Sequence, residues 1–250
     1  MNPLNIVLIG AGNVASHLGP ALHAAGHRIA HVYSHTLANA EALANTVSAT
    51  ASNSLDQLPN TADLYLIAVK DDALPAVAAQ LSLGNQLVAH TSGTKPLSVL
   101  EGVSSNIGVF YPLQTFSKAK TVDLSSVPFL IEGSETLETL ARQLSNTVQR
   151  INSGQRKQLH VAAVFACNFT NHLYAIADAL LAENNLSLDL LRPLIKETAE
   201  KIEQATPRDM QTGPAIRHDQ NVLQEHASLL AQHPEWQQLY QLLSSSIQAQ

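Results

Sequence analysis

Cysteine is almost missing from this 250-residue chain. The one residue of that type, Cys167, cannot close an internal disulfide, and its place in an apolar helical stretch reads as a core thiol. Aromatic residues make up 4% of the chain and charged residues 14%. No run approaches the roughly 18 uninterrupted apolar residues of a membrane span. No positively charged leader precedes the first apolar run, so a cytoplasmic protein is expected. The net charge is −6 and there is no long basic run, which speaks against a nucleic-acid surface. No Tyr is followed by Lys four residues later, and neither G-x-S-x-G nor G-x-x-x-x-G-K-[ST] occurs. These absences disfavour the short-chain dehydrogenase pair, a hydrolase elbow and a P-loop. His23, His27, His31 and His35 recur every four residues, but Gly26 ends the helix between them, so no metal site is expected.

What is present starts at Ile6. The apolar run Ile6–Ile9 leads straight into Gly10-Ala11-Gly12-Asn13-Val14-Ala15, a G-x-G-x-x-A turn between a buried strand and a helix. Gly10 permits the tight reversal, Gly12 lets a pyrophosphate approach bare backbone, and Ala15 lets helix and strand pack closely. The helix N-terminus then offers unpaired N–H groups, and Asn13 and Val14 join the glycines as expected cofactor contacts. Further strand patterns follow at residues 28–34, 62–69, 87–90, 107–111, 127–131 and 148–151. Helical patterns occur at 14–25, 36–44 and 136–146. This alternation predicts a doubly wound, mostly parallel sheet, a Rossmann-like domain over residues 1–153.

The texture changes at Asn152-Ser153-Gly154, and no strand pattern follows. Residues 157–183 read as one long helix and 188–204 as a second, bent or begun afresh at Pro193. Asp219 reads as the N-cap of a helix over 220–231, and Pro234 as the start of another over 235–247. Residues 154–250 are therefore expected to form an all-helical domain. On a straight helix His160, Asn171 and Asp178 line up, with Asn168 and His172 on the same side. That stripe carries no Lys, Arg or Glu. It suits the lining of a cleft, with a solvated face or a polar helix–helix contact as the alternatives. The segment Gln211–Asp219, with Thr212 and Arg217, suits an anion or is a capped inter-helix loop.

An NAD-binding fold of this type usually closes strand two with a carboxylate for the ribose 2′-OH. Here the region reads Val32-Tyr33-Ser34-His35-Thr36, and the next carboxylate is Glu41. Ser34, His35 and Thr36 can donate to a 2′-phosphate, so NADP is expected rather than NAD. Val69, Thr91 and Ser92, at the ends of two later strands, complete the expected cofactor contacts.

Several segments together resemble a poorly characterised family of NADP oxidoreductases that join a Rossmann-like domain to a helical C-terminal domain. They are Gly10–Ala15, Val32–Ser34, His90–Gly93, Tyr111–Phe116, His160–Phe165 with Asn168–His172, and Gln211–Asp219. The family is related to pyrroline-5-carboxylate reductase, ketopantoate reductase and the deazaflavin-dependent NADP reductases. The resemblance covers the whole chain and implies hydride transfer to C=N or C=O, with the helical domain supplying substrate contacts and a dimer surface. The family often has Arg after the Ser of strand two, where this chain has His35.

The expected function is therefore an NADP-dependent oxidoreductase of a small carbonyl or imine. The rival is a dinucleotide-binding or sensor protein without turnover. His160 and His172 are the candidate proton donors, with Lys196 and then Lys201 behind them. Asn168, Asn171, Thr212 and Arg217 are the candidate substrate contacts. Val164, Phe165, Phe169, Leu173, Leu180 and Leu181 cannot all be buried by a short helix hairpin, so a homodimer through residues 155–250 is expected.

Overall fold

The computed structural model describes all residues from Met1 to Gln250. The chain divides into two compact units, Met1–Cys167 and Asn168–Gln250. The division falls within helical sequence, beyond the Asn152-Ser153-Gly154 break.

The first unit is built on one eight-stranded sheet. Its strands are β1 (Asn5–Ile9), β2 (Arg28–Tyr33), β3 (Thr50–Ser52), β4 (Leu64–Ile67), β5 (Leu87–His90), β6 (Asn106–Pro112), β7 (Phe129–Gly133) and β8 (Val148–Arg150). The strand order is β3-β2-β1-β4-β5-β6-β7-β8. All neighbours are parallel except β6 and β7. The order reverses direction between β1 and β4, and in open sheets of this kind the ligand crevice lies outside the carboxyl ends of the strands at that point.

Alternation along the buried strands sends side chains to two faces. Ile6 and Leu8 join Leu18 and Leu22 of α1 (Asn13–Ala24), Leu43 of α2 (Leu37–Thr46), and Leu137 and Leu140 of α4 (Glu135–Arg142). Val7, Ile9, Tyr65, Ile67 and Val88 pack with Leu74 and Ala78 of α3 (Leu74–Ala78) on the other face. A smaller cluster of Val109, Tyr111 and Leu130 receives Leu159 from α5 (Ser153–Ala163). The strand β3 and the helix α3, three and five residues long, are additions to the elements expected from sequence. Both are too short to show a period.

The single helix expected over 157–183 is corrected in two ways. Its first segment, α5, begins at Ser153, because Asn152 and Gln155 form a reciprocal capping box there. Residues Val164–Phe169 then form a π-helical segment before α6 (Thr170–Glu183). A π segment has a wider turn than an α-helix, so the straight-helix projection that aligned His160 with Asn171 does not carry across it. Cys167 lies on this segment and is exposed, not a core thiol.

The second unit comprises α6, α7 (Arg192–Lys201), α8 (Gln220–Leu229) and α9 (Pro234–Gln248). Pro193 sits in the first turn of α7, so the helix begins afresh there. No helix in the chain is long and apolar enough to cross a membrane.

Candidate functional site

The β1–α1 turn has two glycines with opposite requirements. Gly10 has φ +123°, and a Cβ there would stand 2.3 Å from the carbonyl oxygen of Ala68. Its bare backbone is what lets the turn close on the end of β4. Its N–H donates to the Tyr33 carbonyl at 2.8 Å, tying the turn to β2 as well. Gly12, in contrast, would place a Cβ in open space, with nothing within 4 Å. Gly12 is also the N-cap of α1, and no side chain caps that helix. The first-turn N–H groups at the positive end of the helix are thus left without a side-chain cap, an arrangement that fits a pyrophosphate. Asn13 braces the turn by donating from Nδ2 to the Phe116 carbonyl at 3.0 Å. Val14 is partly buried against the core, and Ala15 is fully buried.

Past β2, Ser34 is half-buried while His35 and Thr36 are exposed. Thr36 is the N-cap of α2 but its hydroxyl makes no capping bond. No carboxylate occupies this strand end. Val69, past β4, is half-buried against the second core face.

Past β5 the turn folds on itself. The Ser92 N–H donates to Nδ1 of His90 at 3.1 Å, and Ser92 Oγ accepts from the N–H groups of Thr94 (3.2 Å) and Lys95 (2.9 Å). The Thr91 N–H donates to the Ile67 carbonyl at 3.1 Å. Thr91 and Ser92 are both buried; the Ser92 hydroxyl serves the turn, and the Thr91 hydroxyl donates to the Ile67 carbonyl at 3.5 Å. His90 is fully buried, and burial, with the Arg156 guanidinium adding to it, lowers its pKa to about 4.

The same turn meets α5. Arg156 is 1% exposed and pairs with Glu132 of β7. It also donates to the Lys95 carbonyl at 2.6 Å. Ser153 reinforces the clamp, donating from its N–H (3.0 Å) and hydroxyl (2.8 Å) to Glu132 and accepting from the Leu97 N–H at 2.9 Å. One helical turn beyond Arg156, on the same face, stands His160. Its Nδ1 lies 3.1 Å from the hydroxyl of Tyr111, with the two rings edge to face. A Cβ on Gly93 would come within 2.7 Å of that Nδ1 and 2.9 Å of the Tyr111 hydroxyl. Asp71, past β4, accepts from the Thr94 hydroxyl. Burial and then the Asp71 carboxylate raise the Tyr111 pKa, with Arg156 opposing.

Of the expected site residues, Gly10, Gly12, Asn13, Val14, Ser34, His35, Thr36, Val69, Thr91, Ser92 and His160 lie in the α/β unit. The glycine turn, Val69, Thr91 and Ser92 gather at the carboxyl ends of β1, β4 and β5, and the pair of His160 with Tyr111 stands at the carboxyl end of β6. Tyr111, Gly93, Asp71 and the Arg156–Glu132 pair are additions. The Tyr111-Pro112 strand end was visible in sequence, but its partner is 49 residues away. The remaining residues belong to the helical unit, where Asn168, Asn171, His172, Lys196, Thr212 and Arg217 are all exposed. Lys196 pairs with Glu200 at 3.5 Å on the surface of α7. A groove of about 600 Å³ between α1, α2 and residues 118–124 is lined by Ser16, His17, Asn39, Lys118 and Lys120, and none of the site residues borders it.

Residues 2–114 match a Rossmann-like domain, and residues 127–247 match DUF2520, a domain of unknown function. A Bacteroides fragilis protein provisionally assigned as an NADP oxidoreductase is 46% identical, with 99% of each chain covered and a TM-score of 0.93. The chain belongs to this family of Rossmann-like proteins with a DUF2520 C-terminal domain. An imine reductase from Myxococcus stipitatus, solved with NADP+, is 16% identical over 98% of this chain and 92% of its own, with a TM-score of 0.66. A 1-pyrroline-5-carboxylate reductase from Streptococcus pyogenes is 13% identical over 100% of both chains, with a TM-score of 0.65. At these identities the two share the fold. No curated protein matches the chain significantly.

Proposed function

We propose that this protein is an NADP-dependent reductase of a small imine or carbonyl compound. The observation that carries the reading is the uncapped α1 N-terminus behind Gly12, at the same end of the sheet as the Tyr111–His160 pair. The cofactor supplies the hydride; the chain binds, orients and stabilises the developing charge. The N–H groups of Gly12, Asn13 and Val14 are assigned to the pyrophosphate. Ser34, His35 and Thr36 are assigned to the 2′-phosphate, since the end of β2 holds no carboxylate to repel it. Val69, Thr91 and Ser92 shape the floor beyond. His160 is assigned as the donor to the substrate heteroatom, a role an imidazole N–H can fill. The kinship with an NADP oxidoreductase at 46% identity supports the choice of cofactor.

The apolar surface of the helical unit supports a second assignment. Leu190, Leu194, Leu229 and Leu242 are all well exposed on the chain, and an isologous contact with a second copy is the reading that accounts for them. The protein is therefore assigned as a homodimer through residues 155–250.

Calorimetry with NADPH and NADH, followed by NADPH oxidation against a panel of cyclic imines and carbonyls, tests the function. NADPH is expected to bind more tightly than NADH, and at least one panel member to be reduced. Gly12→Val puts its Cβ where no protein atom stands within 4 Å, so the variant is expected to keep the fold. Its NADPH affinity is expected to fall at least ~10-fold, or ~1.4 kcal/mol. Unchanged affinity in the folded variant would overturn the cofactor assignment. Tight binding with no turnover on any panel member would replace the reductase with a dinucleotide sensor.

A further inference from the structure

The Tyr111 hydroxyl and His160 Nδ1 are 3.1 Å apart, and either atom could carry the shared proton. The surroundings decide. Tyr111 is 9% exposed, and both burial and the nearby Asp71 carboxylate favour its protonated form. A buried phenol O–H needs an acceptor, and the partner within reach is Nδ1. If Nδ1 instead carried a proton and donated it, the phenol O–H would be left with no acceptor in its buried position. Gly93 closes the arrangement: the space any side chain there would need is already taken by Nδ1 and the phenol. The imidazole is held from its other side by α5, whose first turn is clamped to the sheet through Arg156 and Glu132.

We infer that Tyr111 is a positioning residue for His160: its hydroxyl donates to Nδ1, and this fixes the tautomer in which Nε2 carries the exchangeable proton. Which nitrogen of a histidine is protonated is set by the bond the other makes. Fixing it at Nε2 leaves that N–H as the donor the ring can offer. As the cofactor's hydride reaches the substrate carbon, Nε2–H donates a hydrogen bond to the substrate nitrogen or oxygen and stabilises the charge developing there; the proton that completes the amine or alcohol comes from solvent, and the imidazole stays neutral. Tyr111 keeps its own proton throughout. This role rests on the reductase reading above.

Long-range ¹H–¹⁵N spectra of the full chain without cofactor test the placement directly. The expected wild-type signature is a neutral His160 protonated at Nε2, with Nδ1 shifted as a hydrogen-bond acceptor. In Tyr111→Phe that Nδ1 shift is expected to vanish. An Nδ1–H tautomer in the wild type, or an unmoved Nδ1 resonance in Tyr111→Phe, would overturn the inference; the wild-type spectrum decides alone if the variant does not fold. In turnover, Tyr111→Phe is expected to lower kcat about 10-fold, the worth of one hydrogen bond, with KM and NADPH affinity unchanged. A rise in KM with kcat unchanged would also count against it. If the wild type reduces no substrate, the reductase reading fails while the spectra still settle where Tyr111 sends its proton.

Discussion

In the α/β unit the strands bury side chains completely: Ile6, Leu8, Leu64, Leu66 and Phe129 are all shielded from solvent. In residues 168–250 no apolar side chain is buried so completely, Ala215 and Leu230 coming nearest at 6% and 9% exposed, while Leu190, Leu194, Ile202, Leu229 and Leu242 stand more than half exposed. A central sheet with helices on both sides gives each apolar residue a neighbour above and below. The helical unit has no sheet of its own to serve that purpose. The two units thus stand in different relations to stability. The first holds its own core, and the second leaves several apolar side chains exposed.

The sharpest test of the first half of this contrast is the buried ion pair. Glu132→Ala leaves the Arg156 guanidinium, 1% exposed, without its counter-charge. Removing one member of such a pair costs about 3–5 kcal/mol, read as a lower urea midpoint of the folded chain. A loss under about 1 kcal/mol would show that the pair carries little of the unit's stability.

A smaller effect comes from His90. Its pKa is lowered to about 4 by burial, below the ordinary histidine value of 6.5. The unfolded chain therefore takes up a proton at higher pH than the folded one does. The contribution to stability is complete above pH 6.5 and is lost as pH falls from there towards 4. The loss amounts to roughly 3 kcal/mol. His31, also lowered by burial, adds in the same direction. Urea midpoints at several pH values, compared with those of His90→Gln, isolate the term. A pH slope as steep in His90→Gln as in the wild type would assign the acid sensitivity elsewhere.

The smallest expected effect bears on the second half. Leu229 is 74% exposed, so Leu229→Ser in dilute chain is expected to change stability by about 0.5 kcal/mol or less. At concentrations where two copies associate, light scattering is expected to give twice the chain mass of 26.8 kDa, and the wild-type Tm to rise with concentration. A monomer with a constant Tm would leave the exposed faces without the partner assigned to them.

The sequence made the first unit legible because its signals are long or strictly placed. Ile6–Ile9 before Gly10-Ala11-Gly12 locates the cofactor turn, and the alternating segments that follow give the parallel sheet. It was less explicit where the structure depends on meetings far apart in the chain. Arg156 and Glu132, or Tyr111 and His160, carry no local sign that they touch. His90 shows no sign that it is buried. The π segment at Val164–Phe169 has the composition of an ordinary apolar helix, so Cys167 looked buried when it is exposed. Residues 154–250 carry more apolar residues than one hairpin was expected to cover; Phe165, Phe169 and Leu173 are 65%, 50% and 39% exposed, while Val164, Leu180 and Leu181 are half-buried.

The two margins of the sheet have a bearing on handling and storage. Both β3 and β8 are only three residues long. Arg150 of β8 is further tied back to the Gly133 carbonyl at 2.5 Å and to Glu138 at 3.1 Å. Strands this short, one of them laced with charge, offer little template for another chain to add on by backbone pairing. Amyloid-like growth from the native sheet is thereby disfavoured at both ends. Turbidity on gentle warming would instead begin at the leucine-bearing helices, and polar substitutions there, not along the strands, are the route to a more soluble preparation.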